Sequence, residues 1–172
     1  MRYRICCQKR APSALKSSTR KLVTVLFMAE PPSEYLRQVR GVAARFAESN
    51  GARRNDESLV MKITYRSTSA LLEADAEKPT EQFVSTEDPK ADVLKVAHHG
   101  SASSTNRDLL AAVQPCFAVV SVGVRNVYHH PRPEVLERLQ QARALTYRTD
   151  VDGATSFYLD GKTVTSQTAD LH

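Results

Sequence analysis

The stretch Ala91-Asp92-Val93-Leu94-Lys95-Val96-Ala97-His98-His99-Gly100-Ser101 sets the frame for the rest of the chain. Val93 to Ala97 is short, mostly apolar and reads as a buried strand. A polar loop, His98 to Ser104, follows, and its Gly100 permits a turn with positive φ. Thr105 or Ser104 is then predicted to cap a helix that carries Leu109, Leu110 and Val113 and stops at Pro115. Phe117 to Val122 is a nearly continuous apolar run, the pattern of a strand covered on both faces. After the loop Gly123–Arg132, Pro133 suits the first position of a helix with Val135, Leu136 and Leu139 on one side. Leu145 to Arg148 reads as the next strand. This β-α-β-α-β order predicts an α/β layered domain.

Outward from this centre, Ser58–Tyr65 and Ala70–Leu72 read as a hairpin turning at Arg66–Thr68. Residues 76–90 are polar, with a short helix near Pro79–Val84. At the C-terminal end, Asp152-Gly153 and Asp160-Gly161 turn the chain into Thr155–Leu159 and Lys162–Thr165, a second hairpin. Near the N-terminus, Leu22–Met28 reads as a strand and Pro31-Pro32 breaks it. Ser33 is then expected to cap a helix to about Glu48, with Leu36, Val39, Ala43 and Phe46 at helical spacing.

The composition is that of a soluble globular protein: 172 residues, 41% hydrophobic and 25% charged, with mean hydropathy -0.39. The longest apolar run, Leu22–Ala29, falls far short of the roughly 20 residues that span a bilayer. No apolar segment of signal-peptide type precedes Leu22. Without a C-x-x-C there is no cysteine zinc knuckle. Charge is uneven. Residues 1–54 hold 12 Lys/Arg against 3 Asp/Glu, and the remainder 12 against 16, which together give the net +5. Residues 1–21 form a basic arm without an acid. It reads as a disordered tail or as a contact for DNA or another polyanion; seven lysines and arginines on phosphates would give a log–log salt slope of about -6.

The histidines carry the chemical signal. Four of the five form two pairs, His98-His99 and His129-His130, each in a loop after an apolar strand. Asp75 also follows a strand, although Glu73 and Glu77 beside it allow a solvated face instead. In a mostly parallel sheet the strand C-termini share one edge, where ligands bind. Asp75 and one histidine of each pair can therefore converge there, a set that suits a hydrolytic zinc, manganese or iron site. Neighbouring residues in extended chain point apart, so the two members of a pair should have different tasks. Ser101, Ser104 and Thr105 precede a helix start, where a phosphate or an ordinary N-cap can sit.

The succession Asn55–Val60, Leu71-Leu72-Glu73-Ala74-Asp75-Ala76-Glu77, Asp92-Val93-Leu94-Lys95-Val96-Ala97-His98-His99-Gly100-Ser101 with Ser104, Val120–Gly123 with Asn126, Tyr128, His130 and Pro131, and Tyr147–Asp150 with Asp152-Gly153 resembles the metallo-β-lactamase-fold domain of DNA-internalisation competence proteins of the ComEC type. The resemblance implies an αββα sandwich, of which this chain matches only the C-terminal half. Residues 55–168 would be that partial domain, residues 22–54 a strand–helix lead, and residues 1–21 the arm. It implies Asp75 as a metal-binding carboxylate, with zinc or manganese as the metal. One of His98 and His99 would bind metal and the other stand beside it at the reaction; the working assignment takes His98 as ligand and His99 and His130 as catalytic. Ser101, Ser104, Asn126 and Tyr128 would face substrate or phosphate. The family's Thr-Gly before the aspartate is Glu73-Ala74 here, and the glycine before its last His-Pro is His129. The family's upstream H-x-H-x-D-H motif has no counterpart, since no histidine precedes His98. Three functions follow: a phosphodiester hydrolase acting on DNA, a non-catalytic remnant that binds DNA or a partner, or a half-domain or homo-oligomer completed in trans. The family domain is joined to a membrane channel that this chain lacks, so the chain is expected to be soluble as written.

Overall fold

The computed structural model describes residues 23–27 and 41–43 as backbone, and residue 55 and residues 58–169 with side chains. The basic arm 1–21 lies outside the described residues. In chain order the elements are β1 (Val23–Phe27), β2 (Gly41–Ala43), β3 (Val60–Tyr65), β4 (Thr68–Glu73), α1 (Lys78–Ser85), β5 (Val93–Lys95), α2 (Arg107–Val113), β6 (Phe117–Val120), α3 (Pro133–Gln141), β7 (Leu145–Arg148), β8 (Ala154–Leu159) and β9 (Val164–Ala169). A single helical turn, Ala97–Gly100, follows β5.

The described residues form a mixed α/β fold with two sheets. Six strands run in the order β2-β3-β4-β5-β6-β7, and three in the order β1-β8-β9. The pairs β4–β5, β5–β6 and β6–β7 are parallel; β2–β3 and β3–β4 are antiparallel. Each parallel step needs a crossover, which α1, α2 and α3 supply. Crossovers share one hand, so strands added successively in one direction put their helices on one face.

The strand register shows why both faces must be covered. Leu71, Leu94 and Ala118 are cross-strand partners, as are Ala70, Val93 and Phe117. The first row, with Val96 and Val120, packs against Val84, Leu109, Leu110, Val113, Val135 and Leu139 of the three helices. The second row, with Ile63 and Val119, packs against Phe157 and Leu159 of β8. On that side the Phe117, Tyr147 and Phe157 rings cluster with centroids 5.6–6.5 Å apart. The described residues thus form three layers, helices on a six-stranded sheet on a three-stranded sheet. Period-two alternation in short, strongly apolar strands dictates that outcome.

Two expectations are corrected. The helix from Ser33 to about Glu48 is interrupted, because Gly41–Ala43 is the edge strand β2, paired with Met61–Ile63. Gly41 weakens a helix, β-branched Val42 suits a strand, and the free edge of β3 offers a ladder, so pairing overrides the helical spacing. The other residues of that span lie outside the described ones. Likewise, α2 is capped by neither Ser104 nor Thr105. Asn106 is the N-cap, its side-chain oxygen accepting from the Leu109 amide at 3.0 Å.

Candidate functional site

The C-terminal ends of β4, β5 and β6 deliver three loops to one rim. They carry Asp75, His98 with His99, and His129 with His130. Specific bonds hold the loops together. The His98 amide donates to the Ala74 carbonyl at 2.9 Å, tying the end of β5 to that of β4. The Arg132 amide donates to the Gly100 carbonyl at 2.9 Å. Gly100 has φ +84, and a Cβ there would lie 2.5 Å from Pro131 Cβ and 3.0 Å from Pro131 Cα. Only glycine allows the two histidine loops to touch.

The His98–His99 turn is strained. Both residues adopt left-handed φ, 45° and 52°, and such conformations cost on the order of 1–3 kcal/mol each. Buried bonds behind the turn offset this. Ser104 is buried, and its hydroxyl donates to the Ala97 or Ser101 carbonyl, each 3.0 Å away. The Glu81 carboxylate, buried on α1, accepts from the Thr105 amide, the Asn106 amide and the Asn106 side chain. Arg138 of α3 donates to the carbonyls of Ala102, Ser104 and Thr105 at 3.0–3.1 Å. Burial pushes the Glu81 carboxyl above its usual range, opposed by these bonds and by Arg138.

The two histidines of this turn face different groups. His99 Nδ1 lies 2.6 Å from the Ser121 carbonyl oxygen. A carbonyl only accepts, so the proton of the neutral ring sits on Nδ1 and the lone pair on Nε2. That Nε2 lies 3.7 Å from Asp75 Oδ1, with both side chains about half exposed. Two acceptors therefore face one another across a space within the sum of two metal–ligand bonds of about 2.1 Å. His98 instead faces Glu77, Nδ1 to Oε1 3.3 Å, without hydrogen-bond alignment. Glu77 also accepts from Asn55 Nδ2 at 3.2 Å and Ser103 Oγ at 3.3 Å. The geometry thus sets Asp75 beside His99 rather than His98.

His130 completes the rim. Its ring centroid is 5.9 Å from that of His98. Burial, then the cationic forms of His98, Arg132 and His99, hold its pKa below the usual imidazole range. The Nδ1 atoms of His98 and His130 are both buried without a hydrogen-bond partner. The facing Asp75–His99 acceptors fit a cation. The set is not complete, however: among the described residues no three His, Cys, Asp or Glu side chains come together closely enough to hold a metal ion.

The remaining candidates divide. Ser101 Oγ is 3.0 Å from Ser103 Oγ at the surface, whereas Ser104 is committed inside. The Asn126 side chain is also engaged, accepting from the His130 amide at 2.8 Å and donating to the His130 carbonyl at 3.0 Å. Tyr128 is exposed and stacks on His130, 6.0 Å between centroids and 17° between planes.

The sequence offers Glu73 and Glu77 only as a solvated face and assigns no role to Glu81, Lys95 or Arg138. Glu73 is fully buried, and neither carboxylate oxygen has a hydrogen-bond partner. Its carboxyl is pushed well above the usual range by burial and then by Glu81, with Lys95 opposing. The 73–77 segment is therefore not a solvated face. Lys95 Nζ donates to the carbonyls of Glu73 and Ala74 at 2.9 and 3.2 Å, beneath Asp75. Burial lowers its pKa against the pull of Asp75 and Glu73. The one available signal was the Glu-x-Asp-x-Glu alternation just after a strand.

No protein-family model matches the chain. It is 42% identical to ComE operon protein 3 of Bacillus subtilis (strain 168) over 108 residues, 62% of this chain and 14% of that protein. It is 38% identical to Recombination protein 2 of Haemophilus influenzae over 99 residues, 58% and 13% of the respective lengths. It is 32% identical to competence protein ComA of Neisseria gonorrhoeae over 108 residues, 61% and 16% of those lengths. Over about three fifths of its length the chain is thus similar to a segment of competence-related proteins, spanning about one seventh of their length.

Proposed function

We propose that residues 55–168 are part of a metallo-β-lactamase-like domain that handles DNA and holds a divalent zinc or manganese ion against Asp75 and His99. The observation that carries this reading is the pair of facing acceptors, Asp75 Oδ1 and His99 Nε2, 3.7 Å apart on a rim that also holds His98 and His130. The names of the similar proteins favour nucleic acid, and so does the excess of 12 cations over 3 acids in residues 1–54. Residues 22–54 are a lead into the domain and residues 1–21 a basic arm for phosphates.

A bound ion there would supply Lewis acidity toward a phosphoryl oxygen and lower the pKa of water. The chain's own groups do the rest. Ser121 fixes the His99 tautomer. Lys95 sets the backbone that carries Asp75. His130, whose pKa burial and then neighbouring positive charge lower, stands on the same rim as the candidate for proton transfer.

A second reading rests on the incomplete donor set. Catalytic zinc sites use three protein ligands, and the described residues bring together fewer. The domain then binds DNA, and cleaves only when another segment or a second copy supplies the missing donors. No helix among the described residues is long and apolar enough to cross a membrane.

The test is cleavage of a labelled oligonucleotide by the full chain with and without Mn²⁺. Manganese-dependent cleavage lost in Asp75→Ala supports the hydrolase. Binding without cleavage supports the second reading. Neither binding nor cleavage overturns both.

A further inference from the structure

The loop from Gly123 to His130 exposes more apolar surface than its setting explains. Val124, Val127 and Tyr128 are 69%, 78% and 72% exposed, and they are three of the six large hydrophobic residues that the described surface leaves open. The loop is nonetheless ordered by design. Asn126 clasps the His130 backbone from both sides, and its Nδ2 lies 3.3 Å from the Gly123 carbonyl. Tyr128 lies nearly parallel to His130, offset at 6.0 Å between centroids, and most of its ring is open to solvent. Exposed Arg125 and Arg132 flank the lip with positive charge. An exposed aromatic face with arginines on either side in the chain, bordering a polar rim, matches a ligand with a flat apolar ring on an anionic chain.

We propose that Tyr128, edged by Val124 and Val127, is a stacking platform for one unpaired nucleobase of a single strand whose backbone follows Arg125 and Arg132. The proposal rests on the nucleic-acid reading above and adds that the bound strand is unpaired at this position. A paired base keeps both faces stacked inside the duplex and has none to offer. Stacking on an aromatic side chain tolerates any base sequence, because every base has a π-face.

The test uses the full chain in EDTA and fluorescence anisotropy with a labelled oligothymidylate, an abasic strand of equal length and the matching duplex. Wild type should prefer oligothymidylate to both. Tyr128→Ala should weaken oligothymidylate binding about 5- to 100-fold and leave the abasic strand unchanged, while Tyr128→Trp keeps wild-type binding. The side chain is exposed, so folding is not at risk, and circular dichroism checks this. Equal loss for the abasic strand, or no loss at all, overturns the platform while leaving the nucleic-acid reading intact. If Tyr128→Ala instead turns a dimer into a monomer in ultracentrifugation without touching strand binding, the lip is a self-association surface and the proposal is overturned. If wild type binds no strand, the functional reading falls and the platform with it.

Discussion

The two histidine loops are built in opposite ways. The loop from Ala97 to Asn106 is locked from below: Ala97, Gly100, Ser104 and Thr105 are buried, and Glu81 and Arg138 engage its amides and carbonyls. The loop from Gly123 to His130 stands out in solvent, held by one asparagine and by the contact of Pro131 with Gly100. The first fixes the donor positions through buried polar bonds. The second offers exposed side chains at their edge. Precision at the rim comes from buried polar bonds, and access comes from leaving the neighbouring loop uncovered.

Removing the lock should have the largest effect. Glu81→Ala strips a buried acceptor from the Thr105 and Asn106 amides and leaves Arg138 without its neighbouring anion. With two amides left unpaired at about 1–3 kcal/mol each, it should cost about 3–5 kcal/mol, read as a lower midpoint in urea unfolding. An unchanged midpoint would mean the first loop is not held from below. Next comes the contact between the loops. Gly100→Ala places a methyl against Pro131 at positive φ and should cost about 2–4 kcal/mol. If it were tolerated, the loops would be independent and the comparison would break.

The third test concerns Glu73, which sits under the rim with no partner. Its folded pKa is raised, so its contribution is fully present below the unfolded value near 4.5 and is lost as pH rises toward the folded pKa. Stability should therefore decline from about pH 4.5 upward. Glu73→Gln should flatten that decline and raise stability at neutral pH by about 1–3 kcal/mol. The same pH slope in both proteins would show that Glu73 carries no raised pKa.

Much of this was legible in the sequence, for reasons that show where reading stops. The apolar runs around Leu94 and Val119 and the proline that opens α3 encode their elements locally, so the parallel core followed. Asp75 and both histidine pairs were legible as candidates because each ends an apolar strand. Strand β2 was not, since Gly41–Ala43 is a strand only through its pairing with β3. The choice between His98 and His99 was also closed to sequence reading. Alternation along an extended chain does not apply where both residues are left-handed, and the partners, Ser121 and Asp75, come from other strands. Glu81 and Arg138 look like surface charges until α1 and α3 bring them to the same loop.

The proposed cation site turns on Asp75 and His99 acting as a pair. The most direct measurement is titration of the full chain with Mn²⁺, following the free-ion resonance, for wild type and for Asp75→Ala, His99→Ala and His98→Ala. The expected result is a single saturable site that is lost in Asp75→Ala and His99→Ala and kept in His98→Ala. No uptake by wild type, or uptake indifferent to Asp75 and His99, would contradict it.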